Sequence, residues 1–348
     1  MFTKGKFTKA RLMSLAVIAM LGCFSCAQES ASRKTNTSVS PPLSSVEDAD
    51  KIRLADPTII YYDDRYYMYG TERPPQTGFQ VLVSDDLHEW SVPKGARNGY
   101  ALKMGSNVFG DRGFWAPQVF QHRSAWHMAY TANGTIAFAH SDGPLGPFVQ
   151  DEVKPLERGQ RQIDPFVFKD DDGRIYFYHV RFNKGNHIFV AEIDDGFRGI
   201  KEETLTHCIT PQRGTWEDTQ TFKSAVVAEG ATVVKHKNTY YLFYSANNFQ
   251  SDDYAVGYAT STSPLGPWNR YAGNPIIHKG VIGQDGTGHG DLFVGANDQL
   301  YYVFHAHASD TEVHPRATLI VKARFKDVGT GVDVVEIDAD SAFYPVLK

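Results

Sequence analysis

Three acids and a histidine open similar segments that lie far apart in the chain. Asp56 opens DPTIIYYDDRYYMYGT, Asp164 opens DPFVFKDDDGRIYFYHV, Glu229 opens EGATVVKHKNTYYLFYSAN and His289 opens HGDLFVGANDQLYYVFHAH; Ala116 opens a fifth, APQVFQHRSAWHMAYTAN. If these openings converge, three carboxyls must repel one another. A cavity lined by aromatic rings would also desolvate them, so at least one pKa must rise. One protonated and one ionised carboxyl is the pairing that hydrolysis of a glycosidic bond requires. A single Asp-Pro commonly does no more than cap a turn at the start of a strand. Recurrence at one register is what argues for chemistry.

The elements that would position them follow from the same segments. Each has an apolar strand, a polar turn (DDR, HRSA, DDDG, HKNT, ANDQ) and a second strand dense in Tyr, Phe or Trp, which is the pattern of a β-hairpin. VLVSDDLHEW, IAFAHSDGPLGPF and VGYATSTSPLGPW align as a second unit, and IFVAEIDDGF fills the same slot less closely. The repeat is therefore about four strands long, and it starts five times. This predicts an all-β chain forming a five-bladed β-propeller, with about four antiparallel strands per blade. The tail through TLIVKARF and VDVVEI supplies the outer strands of the last blade. In such a fold the first strand of each blade lines the channel. Asp56, Ala116, Asp164, Glu229 and His289 are thus expected to form a ring near one end of it.

The 348 residues are 42% hydrophobic and 22% charged, which excludes a disordered or coiled-coil protein. With 35 Lys and Arg against 40 Asp and Glu, the chain has no basic surplus for a phosphate backbone, and no nucleic-acid partner is expected. The first residues read as a leader: Lys4, Lys6, Lys9 and Arg11 precede the apolar run LMSLAVIAMLG. A small residue precedes a cysteine twice, at Gly22–Cys23 and Ser25–Cys26, as in a bacterial lipoprotein signal. The expected organisation is a lipoprotein or secretory signal over 1–26, a flexible tether over 27–48 and a single propeller over 49–348. That implies an exported monomer carrying a lipid anchor at Cys23 or Cys26, or otherwise a secreted one. Cys208 alone remains in the body, so no disulfide framework is expected.

With LADPTII around Asp56, FWAPQV around Trp115, QIDPFVF around Asp164, VAEGATV around Glu229 and GTGHGDLF around His289, the body resembles the family 43 glycoside hydrolases over about residues 49–325. These are five-bladed propellers acting with inversion on arabinose-, xylose- and sometimes galactose-containing polysaccharides. The resemblance implies Asp56 as general base, Glu229 as general acid and Asp164 as the residue that orients Glu229 and raises its pKa. It implies His289 facing the channel near a cation, commonly calcium held through water, with no cofactor required for the reaction. Arg316, in HPRATLI, resembles an arginine that reaches the substrate or the base. Two positions depart from the usual pattern: Ala231 stands for Pro after Glu-Gly, and Gln118 for Asp after Trp-Ala-Pro.

Sugar pockets need flat apolar surfaces, which makes Trp115 the expected platform, with Phe114 and His179 as further substrate contacts. Asp170–Gly173 lacks the continuation of a calcium loop and is expected to be a hairpin turn. His305 and His307 share one sheet face, but without a third ligand they make no zinc site. The implied activity is an exo-acting α-L-arabinofuranosidase, with β-xylosidase, endo-arabinanase or a non-catalytic carbohydrate-binding propeller as alternatives. The retaining fructan enzymes usually carry Asn before the Asp-Pro; here Ala55 stands there.

Overall fold

The computed structural model describes residues 43, 46–221, 223 and 225–348. The leader, Cys23, Cys26 and most of the tether lie outside the described residues. One compact unit spans Ser40–Lys348.

The five expected hairpins are all present and form the two inner strands of five blades. They pair Ala55–Tyr62 with Arg65–Thr71, Trp115–His122 with Ala125–Ala132, and Gln162–Lys169 with Ile175–Phe182. Val226–His236 pairs with Thr239–Ala246, and Gly288–Val294 with Leu300–Ala306. Third strands follow at Leu82–Ser84, Thr135–Ser141, Gly185–Glu192, Ala255–Ser261 and Ala317–Lys326. The fourth strands are unequal. Val334–Phe343 is long, Thr206–Ile209 and Asn269–Arg270 are short, and blade 2 has a single bridge, His140 to Val149. Asp170–Gly173 is the expected turn, closed by Gly173 N–H to the Asp170 carbonyl.

The side-chain pattern explains how the blades stack. Aromatic residues of the second strands, Tyr69, Tyr130, Tyr178, Tyr244 and Tyr302, are fully buried between sheets. Two of them also explain the repeated PLGP. Tyr69 Oη donates to the Pro144 carbonyl and Tyr178 Oη to the Pro264 carbonyl, each at 2.5 Å, so the turn of one blade latches onto the blade before it.

Each inner strand carries a β-bulge near its start, between residues 55/58, 115/118, 163/166, 229/232 and 288/291. Within each bulge one residue takes a left-handed backbone: Asp56, Ala116, Asp164, Gly230 and His289, with φ between 40° and 62°. Non-glycine residues pay conformational strain there. The N–H groups freed by the bulges are taken by side chains of the preceding blade's second strand. Asp56 N–H donates to His305, Ala116 N–H to Thr71, Asp164 N–H to Thr131 and His289 N–H to Ser245. The equivalent residue for Gly230 is Val180, which cannot accept, and Gly230 N–H goes to the Asp164 carboxylate instead.

The two ends of the described chain close the ring. Val346–Leu347 runs parallel to Glu89–Trp90, Lys51 bridges Val346, and Thr318 bonds the carbonyls of Ile52 and Leu54.

Candidate active site

The bulges aim Asp56, Asp164 and His289 at one point on the channel axis, as expected. The register corrects one member of the ring. Gly230, not Glu229, occupies the left-handed position in blade 4. Glu229 stands one residue upstream, level with Ala55, Trp115, Ile163 and Gly288. The physical reason is the close approach at Gly230: a Cβ there would lie 2.8 Å from the His289 ring, on a backbone with φ of 62°. Aligning acids with acids hid this; aligning the residue that tolerates the bulge would have found it. Glu229 therefore enters from the same layer as Trp115.

Asp56 is buried and fully partnered. Arg316 Nη1 donates to Oδ1 at 3.1 Å, Thr71 Oγ1–H donates to Oδ2 at 2.6 Å, and His289 Nδ1 lies 3.4 Å from Oδ1. Burial works against its charge. The guanidinium of Arg316, then the His289 and His305 rings and the Thr71 hydroxyl, still hold the carboxyl well below the usual carboxylate range. His305 was expected only as part of a His-x-His pair, yet its Nδ1 accepts the Asp56 N–H at 3.1 Å, and Arg316 Nη1 lies 3.2 Å from its Nε2. Burial keeps His305 well below the ordinary histidine range, hence neutral. His307 turns away to the Phe249 carbonyl.

The other two acids behave oppositely. Burial pushes Asp164 up to about 7; His289 pulls it back, and the charges of Glu229 and Asp56 add to the rise. Among the described residues its Oδ2 has no hydrogen-bond partner. Burial also raises Glu229, although His289, Tyr254 and Asn186 act to lower it. Tyr254 Oη donates to Oε1 at 2.9 Å and Asn186 Nδ2 to Oε2 at 2.8 Å. Both acids are thus shifted toward their protonated forms, and each charge disfavours the other. Burial disfavours the charge of His289, but Asp56, Asp164 and Glu229 outweigh it and raise its pKa. The cluster thus combines one carboxylate kept ionised with a carboxyl pair kept partly protonated.

Trp115 is half-buried, and its Nε1–H donates to Gln76 Oε1 at 3.1 Å. Arg316 lies 4.7 Å from the centre of the Phe249 ring. Two expected contacts are not at the site. Phe114 is fully buried and stacks on Tyr130 at 7° with Phe79 at its edge, because its side chain points into the core between blades 1 and 2. His179 is fully buried, stacks on Phe177, and its Nε2 accepts from Arg181 Nε at 2.9 Å. It is out of phase by one residue, and Val180 occupies the position equivalent to Thr71 and Ser245.

A family model, Glycosyl hydrolases family 43, matches residues 51–330. The chain belongs to family 43. It is therefore a glycoside hydrolase built as a five-bladed β-propeller. This family 43 chain is 26% identical over 296 residues to the Aspergillus niger protein named beta-D-galactofuranosidase xynD, covering 79% of this chain and 80% of that one. It is 25% identical to a Butyrivibrio fibrisolvens xylosidase/arabinosidase over 72% of its own length, but spans only 48% of that relative. A solved Bacteroides thetaiotaomicron structure described as an endo-1,4-beta-xylanase superposes with a TM-score of 0.77 and 37% identity, over 86% of this chain and 98% of that one.

The resemblance implies a calcium ion in the channel, and the lining around Asp56, Asp164 and His289 includes an oxygen donor that could take one, Asp291. The half-buried Asp291 carboxylate accepts from Thr58 Oγ1 at 2.6 Å and Thr232 Oγ1 at 3.2 Å, and desolvation pushes it up to about 6. The space there, about 30 Å³, has room for an ion and about one water. A carboxylate held by two threonine hydroxyls and the Leu292 N–H, beside His289, offers the kind of hard oxygen that calcium takes. Among the described residues no group of three or more His, Cys, Asp or Glu is placed to hold a metal by itself.

Proposed function

We propose that this family 43 chain is an inverting, exo-acting α-L-arabinofuranosidase working on plant-type polysaccharides or their oligosaccharides. The observation that supports the mechanism is the division of the cluster: Asp56 is held ionised by Arg316, while Glu229 and Asp164 are held partly protonated by burial and mutual charge. Asp56 takes a proton from a water as its oxygen attacks the anomeric carbon. Glu229 gives its proton to the leaving oxygen as the glycosidic C–O bond breaks, and the sugar departs with inverted configuration. Asp164 disfavours ionisation of Glu229 through its charge and fixes the strand beside it through the Gly230 N–H. His289 and Asp291 would hold a calcium ion in the channel, where it would supply positive charge against the buried carboxylates.

Trp115, level with Glu229, would carry the flat face of the sugar, and Arg316 would sit at the base side. The furanoside reading is supported by the Aspergillus niger relative named beta-D-galactofuranosidase. An α-L-arabinofuranoside and a β-D-galactofuranoside present the same ring configuration and differ at the exocyclic carbon, so one pocket can be close to both. A second reading, hydrolysis of β-1,4-xylan, is favoured by the 37% identical structure described as an endo-xylanase. Export and a lipid anchor at Cys23 or Cys26 belong to this proposal, and so does a monomeric enzyme.

The deciding experiment incubates the full chain with arabinan, arabinoxylan, xylan and galactan oligosaccharides, with Glu229→Gln in parallel, and separates the products by chromatography. Release of single arabinose units, lost in Glu229→Gln, is expected. Xylo-oligosaccharides from xylan would establish the second reading, and longer arabino-oligosaccharides an endo-acting cleft. Tight binding of a glycan with no release would reduce the protein to a binding propeller.

A further inference from the structure

We infer that Tyr254 and Asn186 are positioning residues for Glu229: a two-donor grip, assembled from two blades, that sets the direction of the acid's free lone pairs and tightens as the acid gives up its proton. The inference rests on Glu229 being the acid.

Three observations carry it. First, both oxygens of Glu229 are already held, Oε1 by Tyr254 Oη and Oε2 by Asn186 Nδ2. Both partners are donors as placed, and a hydrogen bond to a carboxylate is stronger than one to a carboxylic acid. The grip is therefore worth more after proton transfer than before it, which is the differential binding that lowers a barrier. Second, neither donor arrives by chance of a surface loop. Tyr254 is fully buried, stacked on His305 at 5.7 Å, and its ring fills the place where a Cβ on Gly288 would lie, 2.2 Å away. Gly288 is level with Glu229 in the next blade, so that glycine opens the slot for the ring. Third, Asn186 belongs to blade 3, and a short parallel pairing between blades 3 and 4 brings it there. Gly185 pairs with Val226 and Asn186 with Val227, at the start of the strand that carries Glu229.

The stack extends the consequence. Tyr254 touches the acid at its hydroxyl and His305 at its face, and His305 takes the backbone N–H of Asp56. One buried tyrosine thus ties the acid's orientation to the base's backbone across the boundary between blades 4 and 5. The ionisable groups acting on Glu229 besides this grip are His289, Asp56 and Asp164, and none of them changes in the test variants.

The test uses the full-length protein with Tyr254→Phe, which keeps the buried ring, and Asn186→Ala, which removes the second donor from the mouth. The titration of Glu229 is followed by pH-difference infrared spectroscopy of the carboxyl stretch, with Glu229→Gln as the blank that identifies the band. No substrate is needed. Each variant should move the Glu229 midpoint upward by about one pH unit, since each removes a donor to the charged form. On oligosaccharides with sugar leaving groups kcat should fall roughly ten- to a hundredfold with little change in KM. With a nitrophenyl leaving group, which needs little acid assistance, most of the rate should survive. If Tyr254→Phe misfolds, as near-ultraviolet circular dichroism would show, Asn186→Ala answers the same question. An unmoved midpoint, or an effect confined to KM, overturns the grip. A moved midpoint in a protein whose Glu229→Gln variant hydrolyses normally leaves the grip standing and removes Glu229 from the acid role.

Discussion

At Asp56, Asp164 and Thr71 the chemistry is decided by who donates to whom. Asp56 stays ionised far into acid, so it sets no acid limb in the working range, whereas burial pushes Asp164 up to about 7 and raises Glu229 as well. The expected pH profile of kcat/KM is flat over about pH 4–6 and falls as pH rises through about 7. A bell centred well above 7 would contradict it. The same shift bears on stability with a definite sign. Asp164 is protonated up to about 7 in the native state but only to about its ordinary 3.8 when unfolded, so the native state binds more protons between those values. Stability therefore falls as pH rises across that window. Asp164→Asn should narrow the difference in melting temperature between pH 5 and pH 8, while abolishing most activity. Thr71 serves twice, donating to Asp56 Oδ2 and accepting the Ala116 N–H. Thr71→Val should cost about 1–3 kcal/mol by leaving that buried N–H unpaired, read by urea denaturation. It should also raise the pKa of Asp56.

At the scale of the element, the recurring object is a bulged strand clasped by the preceding blade, and it shows what a sequence displays and what it hides. The hairpins were legible because alternation and turn residues are local, and the PLGP turn was legible as a motif although its role as a Tyr latch was not. The ring was legible through Asp-Pro and His-Gly. Glu229 was placed one residue off because the bulge selects for a left-handed backbone rather than for an acid, and Gly230 meets that need. His179 failed because a strand alternates every residue, so an error of one sends a side chain into the core, and Phe114, just before the blade-2 strand, packs into the core instead. Asn186 and His305 reach the site across a blade boundary and Tyr254 comes from the turn before its own blade's third strand, so no local pattern tied any of them to the acids. The clasp itself is testable at its exception. Val180→Thr offers Gly230 N–H a hydroxyl like the other four blades' side-chain acceptors, which would release Asp164 from that donor. Melting temperature should change little, and the alkaline limb of the rate profile should move upward as Asp164 loses a bond that favours its charge.

Across the whole molecule the two ends of the described chain meet beside the site, through Lys51–Leu54 against Thr318 and Pro345 and through Val346–Leu347 against blade 1. Removing residues 346–348 should lower the melting temperature by several degrees, as a strand pair is lost at the closure. Arg316 and Asp56 stand 260 residues apart, yet they share one hydrogen bond at the heart of the cluster. Until blade 5 has been made and docked, Asp56 is a carboxyl in a half-built wall without the guanidinium that fixes its charge. A chain emerging from the ribosome would therefore fix the charge of its proposed base last of all. If Asp56 is the base, catalytic competence reports that synthesis has run to blade 5, and a chain stopped earlier would bear the acid residues without the guanidinium that fixes the charge of Asp56.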